Sequence, residues 1–191
     1  MHMLAKRTAA LLIPAALFAT FAQSSAHADT RICVGTYRIQ AANGNYVAAE
    51  TGRSTYEGML RARTPAGSVG AWEQFIVRQW RNDASGIISY SFQAHNGKYV
   101  DTWASYSGSL KGMLRASAGT DNNNDQRFYF SGEFRNGDLV GFRSGLSGVS
   151  PNWWISSEEG YTGDQWNMLR ARSGSIGNWE LFSFQRVNGN C

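Results

Sequence analysis

Two tryptophan–glutamate pairs stand out as the residues best suited to recognition chemistry: Trp72-Glu73 and Trp179-Glu180, each followed by a phenylalanine, Phe75 and Phe182. An indole face packs on the C–H surface of a sugar ring. A neighbouring carboxylate accepts hydrogen bonds from two adjacent hydroxyls, a charge-assisted contact stronger than a neutral one. Small-ligand sites take this form, mostly apolar with a few placed polar anchors. The same residues also have a purely architectural use, the indole closing the end of a barrel and the carboxylate satisfying N–H groups of the preceding loop. The corresponding stretch in the middle of the chain, Asp125-Gln126-Arg127-Phe128, keeps only the phenylalanine, so the fold tolerates loss of the pair there. Trp103, Trp153, Trp154 and Trp166 lie in intervening loop or hairpin regions; each taken alone reads as core packing or chance exposure, and one of them is a candidate to extend a sugar platform.

Other chemistries find little support. The mature chain holds one histidine, His95, because His2 and His27 belong to the N-terminal leader. A Ser-His-Asp or Cys-His arrangement would depend on that residue alone, which reads as a surface turn residue. One histidine and two cysteines cannot build a Cys/His metal centre, and no Gly-rich phosphate loop has the required context. A glycosidase carboxylate pair is not excluded by counting 14 acidic residues. The adjacent Glu158-Glu159, however, reads as a solvated loop. Arg61, Arg63, Arg170 and Arg172 read as outward strand residues, solvated or paired. The expectation is a non-enzyme without cofactor or metal.

Residues 1–28 read as a secretory signal: Lys6 and Arg7, an apolar run from Ala9 to Ala22, and the small-x-small end Ala26-His27-Ala28. The run is too short for a membrane span, which needs about 20 residues. Cleavage leaves 163 residues, one domain in length, exported and without a membrane segment. Of 18 basic residues, removal of Lys6 and Arg7 leaves 16 against 14 acidic, a net of +2 with no basic run. The electrostatic footprint of a nucleic-acid binder is therefore missing. Cys33 and Cys191, near the two ends of the mature chain, are expected to form a disulfide in an oxidising compartment.

The elements that must position these residues come from a repeat. Met-Leu-Arg-Ala begins at Met59, Met113 and Met168, at intervals of 54 and 55 residues. Tyr37-Arg-Ile-Gln-Ala-Ala-Asn43-Gly44-Asn-Tyr46-Val47 precedes the first copy, and Tyr90-Ser-Phe-Gln-Ala-His-Asn96-Gly97-Lys-Tyr99-Val100 the second. The third copy keeps Val140-Gly-Phe142 but has a longer, altered stretch in place of Asn-Gly-x-Tyr-Val. Periodicity within each unit is two, as in Tyr37, Ile39 and Ala41 or Phe75 and Val77, and Asn-Gly is a strong hairpin-turn signal. Units at about 37–86, 87–137 and 138–187 thus offer about four short strands each. Twelve strands are too many for one flat sheet, so closure with three-fold pseudo-symmetry predicts a single all-β domain over 29–191, a β-trefoil; a three-bladed propeller is the weaker alternative.

The run Asn-Gly-x-Tyr-Val, then Leu-x-Ala, then Gly-x-Trp-Glu-x-Phe resembles the fascin-like, or actin-crosslinking-like, β-trefoil superfamily. Asn43-Gly44 through Phe75 is the best match, and the likeness extends with falling fidelity over 37–187. The closest likeness is to bacterial secreted trefoil modules that bind β-glucans. The resemblance implies non-catalytic binding with up to one site per repeat, a Trp and a Glu carrying recognition at positions matched here by Trp72, Glu73, Trp179 and Glu180. The expected protein is a secreted, monomeric binder of β-glucan-like polysaccharide. Two other classes stay open: a protein-interaction module of the actin-binding kind, and a secreted enzyme or enzyme inhibitor on the same scaffold.

Overall fold

Residues 29–52, 56–146 and 153–191 are described by the computed structural model of the chain. The expected signal segment lies outside these residues, as does most of the altered stretch of the third unit, 147–152. Apart from six single-turn 3-10 segments, every regular element among the described residues is a strand. In chain order they are β1 (Asp29–Ala41), β2 (Tyr46–Glu50), β3 (Met59–Thr64), β4 (Gln74–Asn82), β5 (Ile88–Gln93), β6 (Tyr99–Trp103), β7 (Met113–Ala118), β8 (Phe128–Phe130), β9 (Leu139–Ser144), β10 (Trp154–Ser157), β11 (Leu169–Ser173) and β12 (Leu181–Gly189). β1, β4 and β12 are longer than the short strands expected. β1 begins at Asp29, eight residues before the Tyr37 taken to open the first unit.

All twelve strands belong to one antiparallel sheet. Six of them form a closed circuit of pairings, β1–β4–β5–β8–β9–β12 and back to β1. Such a circuit has no open edge, which removes the hazard of unpaired backbone groups. The other six form three hairpins, β2–β3, β6–β7 and β10–β11. Inside the circuit, alternate positions point inward, as the period of two requires. Tyr37 and Ile39 from β1, Phe75 and Val77 from β4, Phe92, Phe128, Phe142, Phe182 and Phe184 are all buried. Phe92 and Phe128 stack with centroids 4.9 Å apart, and Phe142 meets Phe182 edge-on at 5.1 Å. Each such ring contributes about 2–3 kcal/mol through removal from water.

The second strands of the hairpins converge. Met59, Met113 and Met168 form a small buried cluster of their own. Around it, the Ala62 N–H donates to the Asn167 carbonyl (2.9 Å), Ala116 to Gly58 (2.7 Å) and Ala171 to Gly112 (2.8 Å). Each accepting residue stands just before a methionine and has positive φ: Gly58 +79°, Gly112 +82° and Asn167 +57°. At Gly112 an added Cβ would lie 2.2 Å from the Ala171 carbonyl oxygen, so both backbone conformation and proximity require glycine.

This convergence corrects one expectation. Arg61 and Arg170, read as outward, are buried. Their strand face is outward only for an isolated hairpin; here the neighbouring hairpin covers it. Arg61 donates from Nε to the Trp166 carbonyl (2.8 Å), Arg115 to the Glu57 carbonyl (2.9 Å) and Arg170 to the Ser109 carbonyl. Each guanidinium thereby reaches into a different hairpin, and the three contacts run in one sense around the molecule. Glu158 is corrected too: far from being solvated, it is buried and ion-paired with Arg170 and Arg172. Cys33 and Cys191 form the expected disulfide, Cα–Cα 5.2 Å, where β1 lies beside β12. A disulfide of this kind is consistent with an extracellular protein.

Candidate functional site

Trp72 and Trp179 sit in matching single 3-10 turns, Ala71–Glu73 before β4 and Asn178–Glu180 before β12. Those turns explain why strand periodicity does not describe the pair: the polypeptide is not yet extended at Trp-Glu. Trp72 is 45% exposed and Trp179 48%. Glu73 and Glu180, the next residues, are buried. The Gly70 N–H donates to Glu73 Oε2 at 2.7 Å and the Thr64 hydroxyl donates to Oε1 at 2.9 Å. The Gly177 N–H donates to Glu180 Oε2 at 2.8 Å in the same way. Gln126 holds the middle turn through its Oε1, accepting from the Asn123 N–H at 3.1 Å. The carboxylates thus make a loop-closing contact that the middle unit reproduces with an amide; what the middle unit lacks is the indole, replaced by Asp125.

Trp72 forms one wall of a groove of about 280 Å³ that also includes Glu50, Thr51, Arg63 and Thr64. Arg63 and Glu50 make a two-pronged ion pair, with Nη2–Oε2 at 2.8 Å. Arg63 remains partly exposed while Glu50 is buried, so the guanidinium is the outward, donor-bearing member. His95 meets the Trp72 ring edge-on with centroids 4.7 Å apart, which places an imidazole against this indole. In the third unit the turn carrying Trp179 packs against β10. Just beyond β10, Glu158 pairs with the part-exposed Arg172. Each indole-bearing turn is therefore accompanied by a buried glutamate and a half-exposed arginine on the adjoining hairpin.

Glu50, Arg63, Glu158 and Arg172 are not singled out as a site by sequence reasoning. A signal does exist: Arg63 and Arg172 both follow Met-Leu-Arg-Ala directly, where the middle unit has Ser117. The middle unit is built differently. Trp103 stacks on Tyr106 (5.0 Å), lies under Arg115 (4.8 Å) and donates its N–H to Ser117 (3.1 Å). Ser117 in turn donates to Asp101 at 2.9 Å. Burial, reinforced by the Asp125 carboxylate and opposed by the Ser117 hydrogen bond, pushes Asp101 up to about 6. Of the remaining tryptophans, Trp153 packs on the main core with Lys111 over its ring, Trp154 opens β10 half-buried, and Trp166 is exposed.

No protein-family model matches this sequence, and no curated protein matches it. The functional reading therefore rests on the residues and their arrangement.

Proposed function

We propose that the chain is a β-trefoil that is exported and binds β-glucan-like polysaccharide without catalysis, using the exposed faces of Trp72 and Trp179. The closed six-strand circuit, the three hairpins and the cyclic contacts of the Met-Leu-Arg-Ala strands support the trefoil. The disulfide supports the exported state. One observation carries the binding role: two half-exposed indoles recur on corresponding turns, each turn closed by a buried glutamate. A single exposed apolar residue carries no message. Recurrence in a fixed local frame does, because packing alone gains little from an indole left half in water.

In this reading the indole takes the apolar face of a glucose unit, and Arg63 or Arg172 donates to its hydroxyls. Glu73 and Glu180, expected to contact ligand directly, close the turns that carry the two tryptophans. Two weak sites on one chain raise avidity for a polymer without any new contact. Co-sedimentation with a panel of insoluble polysaccharides tests the reading: retention on β-glucans with little on α-glucans or chitin is expected. Equal passage through every polysaccharide would remove the proposal.

A further inference from the structure

The turns that carry the exposed tryptophans each border a groove shared with the next unit around the molecule. In the first unit, Trp72 and Glu73 line the Arg63 groove, while Ala71 of the same turn lines a second groove of about 370 Å³. This second groove runs between the turn and the β5–β6 turn of the middle unit, with Gln74, Ile76, Gln93 and His95 in its lining. The third unit repeats the arrangement. Asn178, beside Trp179, borders a groove of about 370 Å³ against the β1–β2 turn of the first unit, with Gln40, Ala42, Leu139 and Leu181 in its lining. No carboxylate, ammonium or guanidinium lines either of these grooves, which suits an uncharged chain.

The two grooves differ at a matched position. Counted from Tyr37 and Tyr90, His95 corresponds to Ala42. The neighbouring glutamines are alike and committed: Gln93 donates to the Gly97 carbonyl and Gln40 to the Gly44 carbonyl, both at 2.8 Å. Gln93 also accepts from Arg78 at 2.8 Å, so it is a fixed wall. His95 is exposed, and its imidazole makes no hydrogen bond among the described residues. The ring stands at 77° to the Trp72 indole, so the two make a corner and not one continuous platform. An imidazole has two ring nitrogens, at least one of them a donor. A pyranose carries its hydroxyls around the ring edge, where such a corner meets them.

We infer that the Trp72 site takes an internal run of sugar units, which crosses the indole from the Arg63 groove into the second groove, and that His95 hydrogen-bonds to a hydroxyl of the unit beyond the tryptophan. This rests on the reading of Trp72 as a polysaccharide contact. Internal binding follows because the turn has a groove on both sides, so neither end of the bound segment is capped. At Trp179 the second groove recurs with Ala42 in place of the imidazole, and the continuing chain is held more weakly. His95 thus makes the two sites unequal in the length of chain they read.

Calorimetric titration of the Trp179→Ala chain, which isolates the Trp72 site, with cello- and laminari-oligosaccharides tests this. Affinity is expected to rise from disaccharide to tetrasaccharide in one of the two series, then level off, and to be unchanged when the terminal unit is reduced to the alditol. His95→Ala in that chain lowers affinity for the tetrasaccharide about fivefold, the worth of one hydrogen bond, and leaves the disaccharide unchanged. His95→Gln, which keeps a donor, restores most of the loss. In the Trp72→Ala chain, Ala42→His gains a similar factor for the tetrasaccharide. Affinity independent of length, dependence on an intact terminal unit, or equal loss at every length in His95→Ala would each overturn the inference while leaving Trp72 as a sugar contact. Absence of binding by the wild type to every oligosaccharide and polysaccharide would remove that contact and the inference with it.

Discussion

Glu73, Gln126 and Glu180 occupy corresponding places, and each accepts from the N–H three residues earlier. Because the middle turn is closed by an amide, the contact requires an acceptor and not a charge. Glu73→Gln is therefore expected to keep both fold and polysaccharide binding, while Glu73→Ala loses about 1 kcal/mol, as removal of a cap does; thermal unfolding and co-sedimentation of the two variants check this. Asp101 gives a pH signature. Its carboxyl titrates near 6 in the folded chain, above its ordinary value of 3.8. The folded state thus holds the proton more tightly, and this stabilisation is complete below about pH 4 and lost as pH rises through about 6. Asp101→Asn, which cannot ionise, should exceed the wild type in stability by about 1–2 kcal/mol at pH 7, solvent screening reducing the full linkage value. The two melting temperatures should converge at pH 4; a constant offset across that range would contradict the assignment. The Trp-Glu pairs were legible in the sequence as a repeated dipeptide. The direction of the carboxylates was not, since a 3-10 turn ahead of a strand has no two-residue period to betray it.

At the scale of the element, Met-Leu-Arg-Ala is an architectural word in which every letter has a separate contact. Methionine joins the three-membered cluster and leucine enters the main core. Arginine reaches a neighbouring hairpin's carbonyl, and alanine donates its N–H to the residue before the next methionine. Arg170→Ala should cost about 3–5 kcal/mol, because Glu158 would be left buried with reduced compensation; Arg115→Ala, at a more exposed position, should cost less. Gly112→Ala should be severely destabilising, since its Cβ meets backbone that a rotamer change cannot move. Chemical denaturation of the three variants checks the order. The repeat was legible from the recurring tetrapeptide and the alternating Leu-x-Ala. The burial of Arg61 and Arg170 was not, because it arises only when three hairpins from distant parts of the chain come together, and alternation within one strand describes that strand's own two faces alone.

At the scale of the whole molecule, the sheet is fastened where its first and last described strands meet. β1 pairs with β12, and the Cys33–Cys191 disulfide joins them across a separation of 158 residues. Chain entropy assigns such a loop about 5 kcal/mol at most, so reduction should lower the melting temperature without changing the strand content at 25 °C; circular dichroism with and without reductant measures it. Twelve strands and the core phenylalanines were legible from spacing, because period-two burial is local. Which indoles end outside depends on the turns between strands, and no local pattern fixes that. The central claim is that Trp72 and Trp179 are the faces that meet polysaccharide. Its most direct measurement is retention on insoluble β-glucan by the wild type, Trp72→Ala, Trp179→Ala and the double variant, each shown to unfold at the wild-type temperature. Partial loss in each single variant and complete loss in the double variant is predicted; undiminished retention of a folded double variant would contradict the account.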